Sequence, residues 1–301
     1  MLTLKEARSA PPESANAATR VNSSLHLDFE FDRTFGWTVL RESVQEAPLK
    51  VVRAFPVGNG SALVHLHNVS GGLLGGDRLS TSVKVGERAS AQLTTTGATR
   101  IYRARIPAAP AMVTTNITVG QDGCLEYLPD PIIPYAGSCF SQRTTIHLGS
   151  GAGLFWWEVL APGREAGGEL FEYELAEMRT NIYALGRTVA IDRVRVEPSR
   201  CAPTSPARLG HYRYWSTFYI CQVGLKPGTW LALEEQLRQV AQGFCPASEA
   251  RWGISILVAH GIVCRCVSVR GRDALSGLHA LWRAAKLALY GSEAIPPRKV
   301  N

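Results

Sequence analysis

Apolar and polar residues alternate along most of the chain between Leu25 and Val196, which limits the fold to architectures built from sheets. A period of two places one face of a strand against a core and the other face in water. Short turns separate the alternating segments, which are 25–31, 49–55, 62–67, 78–85, 89–96, 112–119, 123–128, 143–148, 154–160 and 187–196. No helical crossovers lie between them, which argues against Rossmann and TIM-barrel folds. The sequence therefore predicts a mainly β protein with stacked or coiled sheets, rich in antiparallel strands joined by hairpins.

Helical periodicity is confined to the C-terminal part of the chain. The segments "WLALEEQLRQVAQGF" and "DALSGLHALWRAAKLALYG" each place apolar residues, Trp282 among them, on one face at helical spacing. Asp273 is the expected N-cap of the second helix, and Gly291 is its expected stop. We expect one domain over residues 23–301, with its helices mainly within 229–291, after a disordered N-terminal tail at 1–22.

The composition is that of a soluble protein with a net charge of +7. Its seven cysteines are scattered and contain no CxxC pair, so neither a disulfide framework nor a zinc site is expected. No apolar run approaches the roughly 20 residues of a membrane span, and the N-terminal segment lacks the apolar core of a signal peptide. These features predict a cytoplasmic protein.

Arginines are spread along the chain, with local clusters at Arg100, Arg103 and Arg105 and at Arg193 and Arg195. Solvated strand faces account for such spacing. The more specific alternative is a docking surface for an acidic partner. Nucleic acid is disfavoured as a partner, because no basic stripe with interleaved aromatic residues is present.

The stretch "GGLLGGD" places four glycines, Gly71, Gly72, Gly75 and Gly76, directly before Asp77. It matches neither G-x-G-x-x-G nor G-x-x-x-x-G-K-[ST], and no helix is expected after it, so nucleotide binding is not indicated. A plain turn between strands needs fewer glycines. The surplus predicts a closely packed backbone that aims the Asp77 carboxylate at another group.

Two pairs of candidate metal ligands have a spacing of two residues. His65 and His67 would share one face of a strand and could bind a metal together, although a half-buried strand with two polar-face histidines is commoner. Cys264 and Cys266 have the same spacing, and a free cysteine usually serves as a small buried apolar residue. Neither pair has a third and fourth ligand nearby, and no nucleophile–base arrangement is recognisable.

Six sequence blocks follow one another in a characteristic order. They are "APLKVVRAF", "GGLLGGDRL", "LTTTGATRIYRA", "LEYLPDPIIPYAGS", "FWWEVLAPGREAGGELF" and "LWRAAKLALYGSEAIPPR". This order resembles the urease accessory protein UreD (UreH) family over nearly the whole chain. The resemblance implies a non-enzymatic maturation factor with a β-rich, helix-decorated fold. It also implies a complex with the accessory proteins UreF and UreG that docks on apo-urease and passes nickel through an internal tunnel.

The resemblance further assigns roles to individual residues. Nickel(II) in transit needs exchangeable oxygen ligands, because a full set of imidazoles or thiolates would trap it. No tightly bound cofactor is implied. The candidates for the nickel route are Asp77, Glu126, Asp130, Glu158, Glu169, Thr95 and Thr96. The candidates for partner contacts are Tyr102, Arg103, Arg164, Trp282 and Arg298. In this chain "LPDP" replaces the family's more frequent "LPQE", so Asp130 supplies a carboxylate one position earlier.

Two other functions stay open on the residues alone. One is a stand-alone β-rich, metal-dependent enzyme that uses His65, His67 and nearby carboxylates. The other is an interaction module without a metal role, whose basic strands bind an acidic protein. Neither nucleic acid nor a membrane is an expected partner.

Overall fold

Strands make up most of the fold in the computed structural model, which describes residues 20–103, 109–243, 246 and 249–297. In chain order the strands are β1 Asn22–Asp32, β2 Trp37–Gln45, β3 Leu49–Lys50, β4 Ala54–Val57, β5 Ser61–Asn68, β6 Arg78–Val85, β7 Ser90–Thr95, β8 Thr99–Ile101, β9 Ala111–Val119, β10 Cys124–Tyr127, β11 Ile132–Pro134, β12 Cys139–Leu148, β13 Gly153–Leu160, β14 Leu175–Ala184, β15 Arg187–Val196, β16 Tyr214–Gln222, β17 Ala250–Ile256 and β18 Gly261–Ser268. The helices are α1 Pro227–Gln242 and α2 Gly271–Tyr290. Most of the predicted tail, residues 1–19, and Arg298 lie outside the described residues.

The strands form two stacked sheets. The seven-stranded sheet has the order β15-β14-β12-β9-β6-β1-β2. The eleven-stranded sheet follows the order β17-β18-β16-β13-β10-β7-β5-β3, with β4, β8 and β11 attached beside this path. A mainly β fold with helices toward the C-terminus is therefore confirmed.

Many of the inner strand pairs are parallel, although β13–β16 and β16–β18 are antiparallel, and this corrects the expectation of mostly antiparallel hairpins. β5 and β7 pair in parallel, and β6, which lies between them in sequence, belongs to the opposite sheet. The same alternation between sheets produces the parallel pairs β6–β9, β7–β10, β9–β12, β10–β13 and β12–β14. Each strand of one sheet thus serves as the crossover that a parallel pair in the other sheet needs. A period of two is common to both kinds of pairing, so the sequence pattern could not distinguish them.

The main hydrophobic core lies between the two sheets. Leu25, Leu27 and Phe29 face it from β1, while Leu154 and Trp156 face it from β13. Strand β13 is buried on both faces, since its other face packs under the helices. Such a strand carries apolar residues continuously rather than in alternation.

Both helices pack on the outer face of the eleven-stranded sheet. Helix α1 buries Trp230, Leu233 and Leu237, whereas the buried stripe of α2 includes Leu278 and Trp282. Neither helix of the described residues is long and apolar enough to cross a membrane.

The two ends of α2 differ in how well the sequence predicted them. Gly291 ends the helix in a left-handed conformation, with φ of 61°, as expected. The N-cap is Arg270 rather than Asp273, which lies in the first turn. A carboxylate in that turn is favoured by the helix dipole whether or not it caps the helix.

Candidate functional site

A cavity of about 300 Å³, lined by both polar and apolar residues, lies between the sheets and extends to the glycine-rich loop. Its walls come from both sheets. They are partly polar because the inward side chains of the sandwich include several polar residues among the apolar ones. The predicted site residues that line it are Thr95, Thr96, Asp130 and Glu158, together with Gly71 and Gly72. The structure thus brings together part of the predicted nickel route and leaves the rest elsewhere.

Thr95 and Asp130 form a fixed pair at the solvent end of the cavity, next to the exposed Thr96. Thr95 ends β7, and Asp130 follows the neighbouring parallel strand β10, so both lie at the same sheet edge. The Thr95 hydroxyl donates to Asp130 Oδ2 at 3.1 Å and accepts from the Asp130 amide at 2.9 Å. The two bonds hold a half-buried carboxylate in a fixed position beside the exposed Thr96.

Glu158 is the most deeply buried carboxylate of the cavity, with 5% of its surface exposed. Gln142 Nε2 donates to its Oε1, and the Thr180 hydroxyl donates to its Oε2 at 3.2 Å. Burial raises the pKa of Glu158 to about 7, and the negative charge of Asp192 opposes ionisation further. Near neutral pH this group can therefore be either protonated or ionised.

A row of threonines crosses the sandwich beside Glu158 and was missed at the sequence level. Strand pairing aligns Thr81 with Thr115, Thr115 with Thr144, and Thr144 with Thr180, all buried and facing inward from the seven-stranded sheet. We call these four residues the threonine row. The sequence did contain an indication, because threonine occupies core-facing positions of otherwise apolar alternation.

Several buried polar atoms around this row have no hydrogen-bond partner among the described residues. They include the hydroxyls of Thr144 and Thr217 and the indole nitrogen of Trp156. Trp156 lines the cavity, and Thr217 lies directly opposite Glu158 on the neighbouring strand β16. Buried polar groups nearly always bind a protein group, water or an ion. The interior is therefore suited to water and small hydrophilic solutes.

Polar groups continue beyond Glu158 to the far edge of the seven-stranded sheet. Asp192 on β15 pairs directly with Thr180. Its Oδ2 accepts from the Tyr219 hydroxyl at 2.7 Å and from Arg265 at 3.1 Å. Polar side chains therefore continue from Glu158 through Thr180 to Asp192 on the edge strand β15.

Asp77 closes the glycine-rich loop instead of lining the cavity. It is 7% exposed, and its two carboxylate oxygens accept from the amides of Val21 at 3.1 Å and Leu74 at 2.8 Å. Gly72 must lack a side chain here, since a Cβ would lie 2.5 Å from Tyr102 Cε2 and 2.7 Å from the Arg100 carbonyl. The close backbone packing predicted for the loop is present, and the Asp77 carboxylate is directed at its own backbone.

Glu126 and Trp282 lie on the other face of the eleven-stranded sheet, beneath α2. Glu126 is 2% exposed and accepts from Trp282 Nε1 at 2.8 Å and from the Lys286 ammonium. Trp282 is fully buried, so it is a core residue and not the surface contact that the sequence suggested. Both residues anchor the helix to the sheet.

The other described candidates for partner contacts lie around Tyr135. Tyr102 packs edge-on against the Tyr135 ring at 5.2 Å, and the Arg164 guanidinium lies 5.1 Å from its centroid. Arg164 also pairs with Glu169 at 2.6 Å, which places Glu169 in this surface group rather than in the cavity. Arg103 is exposed, and its side chain lies beside Gly137, which is two residues after Tyr135. We call Tyr102, Arg103, Tyr135, Arg164 and Glu169 the Tyr135 patch.

The histidine and cysteine pairs do not form metal sites among the described residues. His65 and His67 line a second cavity of about 850 Å³, which has no carboxylate among its lining residues, and His67 also lines the first cavity. The described residues contain one group of three potential metal ligands, His26, Asp28 and Glu42, which lies on a different sheet. Cys264 and Cys266 are buried, and burial raises the pKa of the Cys264 thiol.

Comparison with known proteins agrees with this arrangement. The family model described as UreD urease accessory protein matches residues 22–301. The urease accessory protein UreD of Herpetosiphon aurantiacus is 43% identical over 288 residues, covering 96% of this chain and 99% of that protein. The urease accessory protein UreD of Pseudomonas fluorescens is 32% identical over 231 residues, covering 77% of this chain and 77% of that protein. That of Cenarchaeum symbiosum is 34% identical over 207 residues, 67% of this chain and 71% of its own. Because the match spans both sheets, the polar interior and the two helices, the chain belongs to the UreD family of urease accessory proteins.

Proposed function

We propose that this protein is a urease maturation factor that passes nickel(II) through the interior of its sandwich toward apo-urease. The observation that supports this most is the buried Glu158, set in a cavity whose other oxygen ligands are Asp130 and the threonine hydroxyls. Nickel is the cargo in this proposal, and no tightly bound cofactor is required.

The ligand chemistry of the cavity suits transfer better than storage. Its carboxylates and hydroxyls bind a divalent cation weakly, His67 is the one imidazole among the residues that line it, and no thiolate is among them. At Glu158 an arriving cation would displace a proton, because a metal ligand must be deprotonated. A weak and exchangeable site is what a carrier needs between two proteins.

The partner contacts belong to the same proposal. The protein joins UreF and UreG to apo-urease in the cytoplasm as a non-enzymatic chaperone, and the Tyr135 patch supplies one contact surface. An exposed guanidinium beside packed aromatic rings is the kind of surface that carries binding energy in protein interfaces.

The test compares buried carboxylates on opposite faces of one sheet. Glu158→Gln, Glu158→Asp and the control Glu126→Gln are co-expressed with UreF, UreG and urease. Urease nickel content and activity are then measured at matched levels of assembled complex. We expect Glu158→Gln to lower nickel per urease, Glu158→Asp to retain part of it, and Glu126→Gln to leave it unchanged. Normal nickel loading with Glu158→Gln would refute the route, as would equal losses in both Gln variants.

A further inference from the structure

The outer face of the seven-stranded sheet is open in the described part of the chain. Both helices pack on the other sheet. The central strands point short polar side chains outward, including Ser80 on β6, Asn116 on β9 and Thr145 on β12. In the described part of the chain this surface is therefore a sheet face that no helix covers, and it is open to another protein.

Three arginines stand next to one another at one side of this face. Arg143 on β12 pairs directly with Arg179 on β14, which in turn pairs with Arg193 on β15. Their threonine neighbours Thr144 and Thr180 face the interior, so the arginines face outward. Neighbouring strands lie about 4.8 Å apart, which makes this a short line of positive charge about 10 Å long. We call it the arginine row.

The charge of the arginine row is only partly neutralised within the protein. Arg179 forms an ion pair with Glu177 at 2.7 Å, a carboxylate that it shares with Arg195 at 3.2 Å. Arg143 and Arg193 form no ion pair with any described residue, although Arg193 approaches the amide oxygen of Asn181 at 3.5 Å. Like charges directly opposite each other destabilise a sheet. Arg143 and Arg193 thus carry uncompensated charge on either side of the ion-paired Arg179, and an external anion can compensate it.

We infer that the arginine row, with the open sheet face beside it, docks an acidic surface of another protein. Guanidinium groups bind carboxylates in a planar, bidentate manner, and here their donors face solvent. A nucleic acid would need a longer basic track. The row instead ends at Thr114 on one side and at the edge strand β15 on the other, with Glu177 close beside it. This inference does not depend on the nickel route.

The test uses a fluorescein-labelled glutamate-rich peptide as the probe and measures its binding by fluorescence anisotropy at low and physiological salt. The test variant is Arg143→Gln/Arg193→Gln, which leaves the Arg179–Glu177 pair in place. The control, Arg272→Gln/Arg283→Gln, makes the same change in net charge on α2 at the opposite side of the molecule. We expect the test variant to lose about tenfold or more in affinity and the control to bind as the wild type does.

A thermal melt of each variant separates docking from a structural role. Removing two unpaired like charges should leave the melting temperature equal to or above that of the wild type. The inference is overturned if the wild type does not bind the peptide, or if the control loses as much affinity. It is also overturned if the test variant melts lower, or if a single-stranded RNA binds the row more tightly than the peptide does.

Discussion

Replacing Glu158 by Gln should change how the stability of the protein depends on pH. Glu158 has an ordinary pKa near 4.5 in the unfolded chain and a pKa of about 7 when folded. Because the folded state binds the proton more tightly, this group contributes most stability below pH 4.5 and loses that contribution as the pH rises through 7. The difference of about 2.5 pKa units corresponds to about 3 kcal/mol.

The variant carries no charge at any pH, and its amide can still accept from Gln142 and donate to Thr180 Oγ1. We therefore expect the wild type and Glu158→Gln to have similar free energies of unfolding at the acid end of the pH range. The variant should become more stable than the wild type by up to about 3 kcal/mol at pH 8. Urea denaturation of both proteins at intervals between pH 5 and pH 8 measures the difference directly. A difference that stays constant over this range would show that Glu158 titrates normally, and our account of its burial would be wrong.

Two further substitutions test the remaining assignments. Trp282→Ala should cost about 3–5 kcal/mol of unfolding free energy, because the side chain is fully buried and donates to Glu126; unchanged urea denaturation would contradict its place in the core. Asp77→Ala and Asp77→Asn should each lower stability by about 1–3 kcal/mol, since both carboxylate oxygens accept backbone bonds and neither replacement can accept both. Nickel per assembled complex should stay normal in both Asp77 variants, and a loss of nickel at unchanged stability would return Asp77 to the route.

The sequence predicted the type and position of the elements better than their partners. Alternation located many of the strands but not β2, β14 or β16, and the apolar stripe that includes Leu278 and Trp282 located α2. Pairing could not be predicted, since a strand that returns in a hairpin and a strand that crosses to another sheet have the same period. The antiparallel expectation was wrong for this reason.

For the site, too, the local sequence identified the candidate residues but not their surroundings in the folded protein. Glu126 and Glu158 are both single carboxylates in apolar strands, and the sequence treats them alike. Their surroundings differ because Glu126 faces α2 while Glu158 faces the interior, and β13 is apolar on both sides of Glu158. Only the packing of the helices decides which face of the eleven-stranded sheet lies under them and which face lines the interior. The threonine row likewise exists only once four strands are in register.

The passage of the chain back and forth between two sheets has a consequence for how the molecule is assembled. Strands β7 and β8 lie in the sequence between β6 and its partner β9. In the same way β10 and β11 lie between β9 and its partner β12. Pairing is therefore remote in sequence almost everywhere in the middle of the protein, and such topologies fold slowly and cooperatively. Because consecutive strands alternate between the two layers, we expect the layers to form together and to enclose the interior as they do.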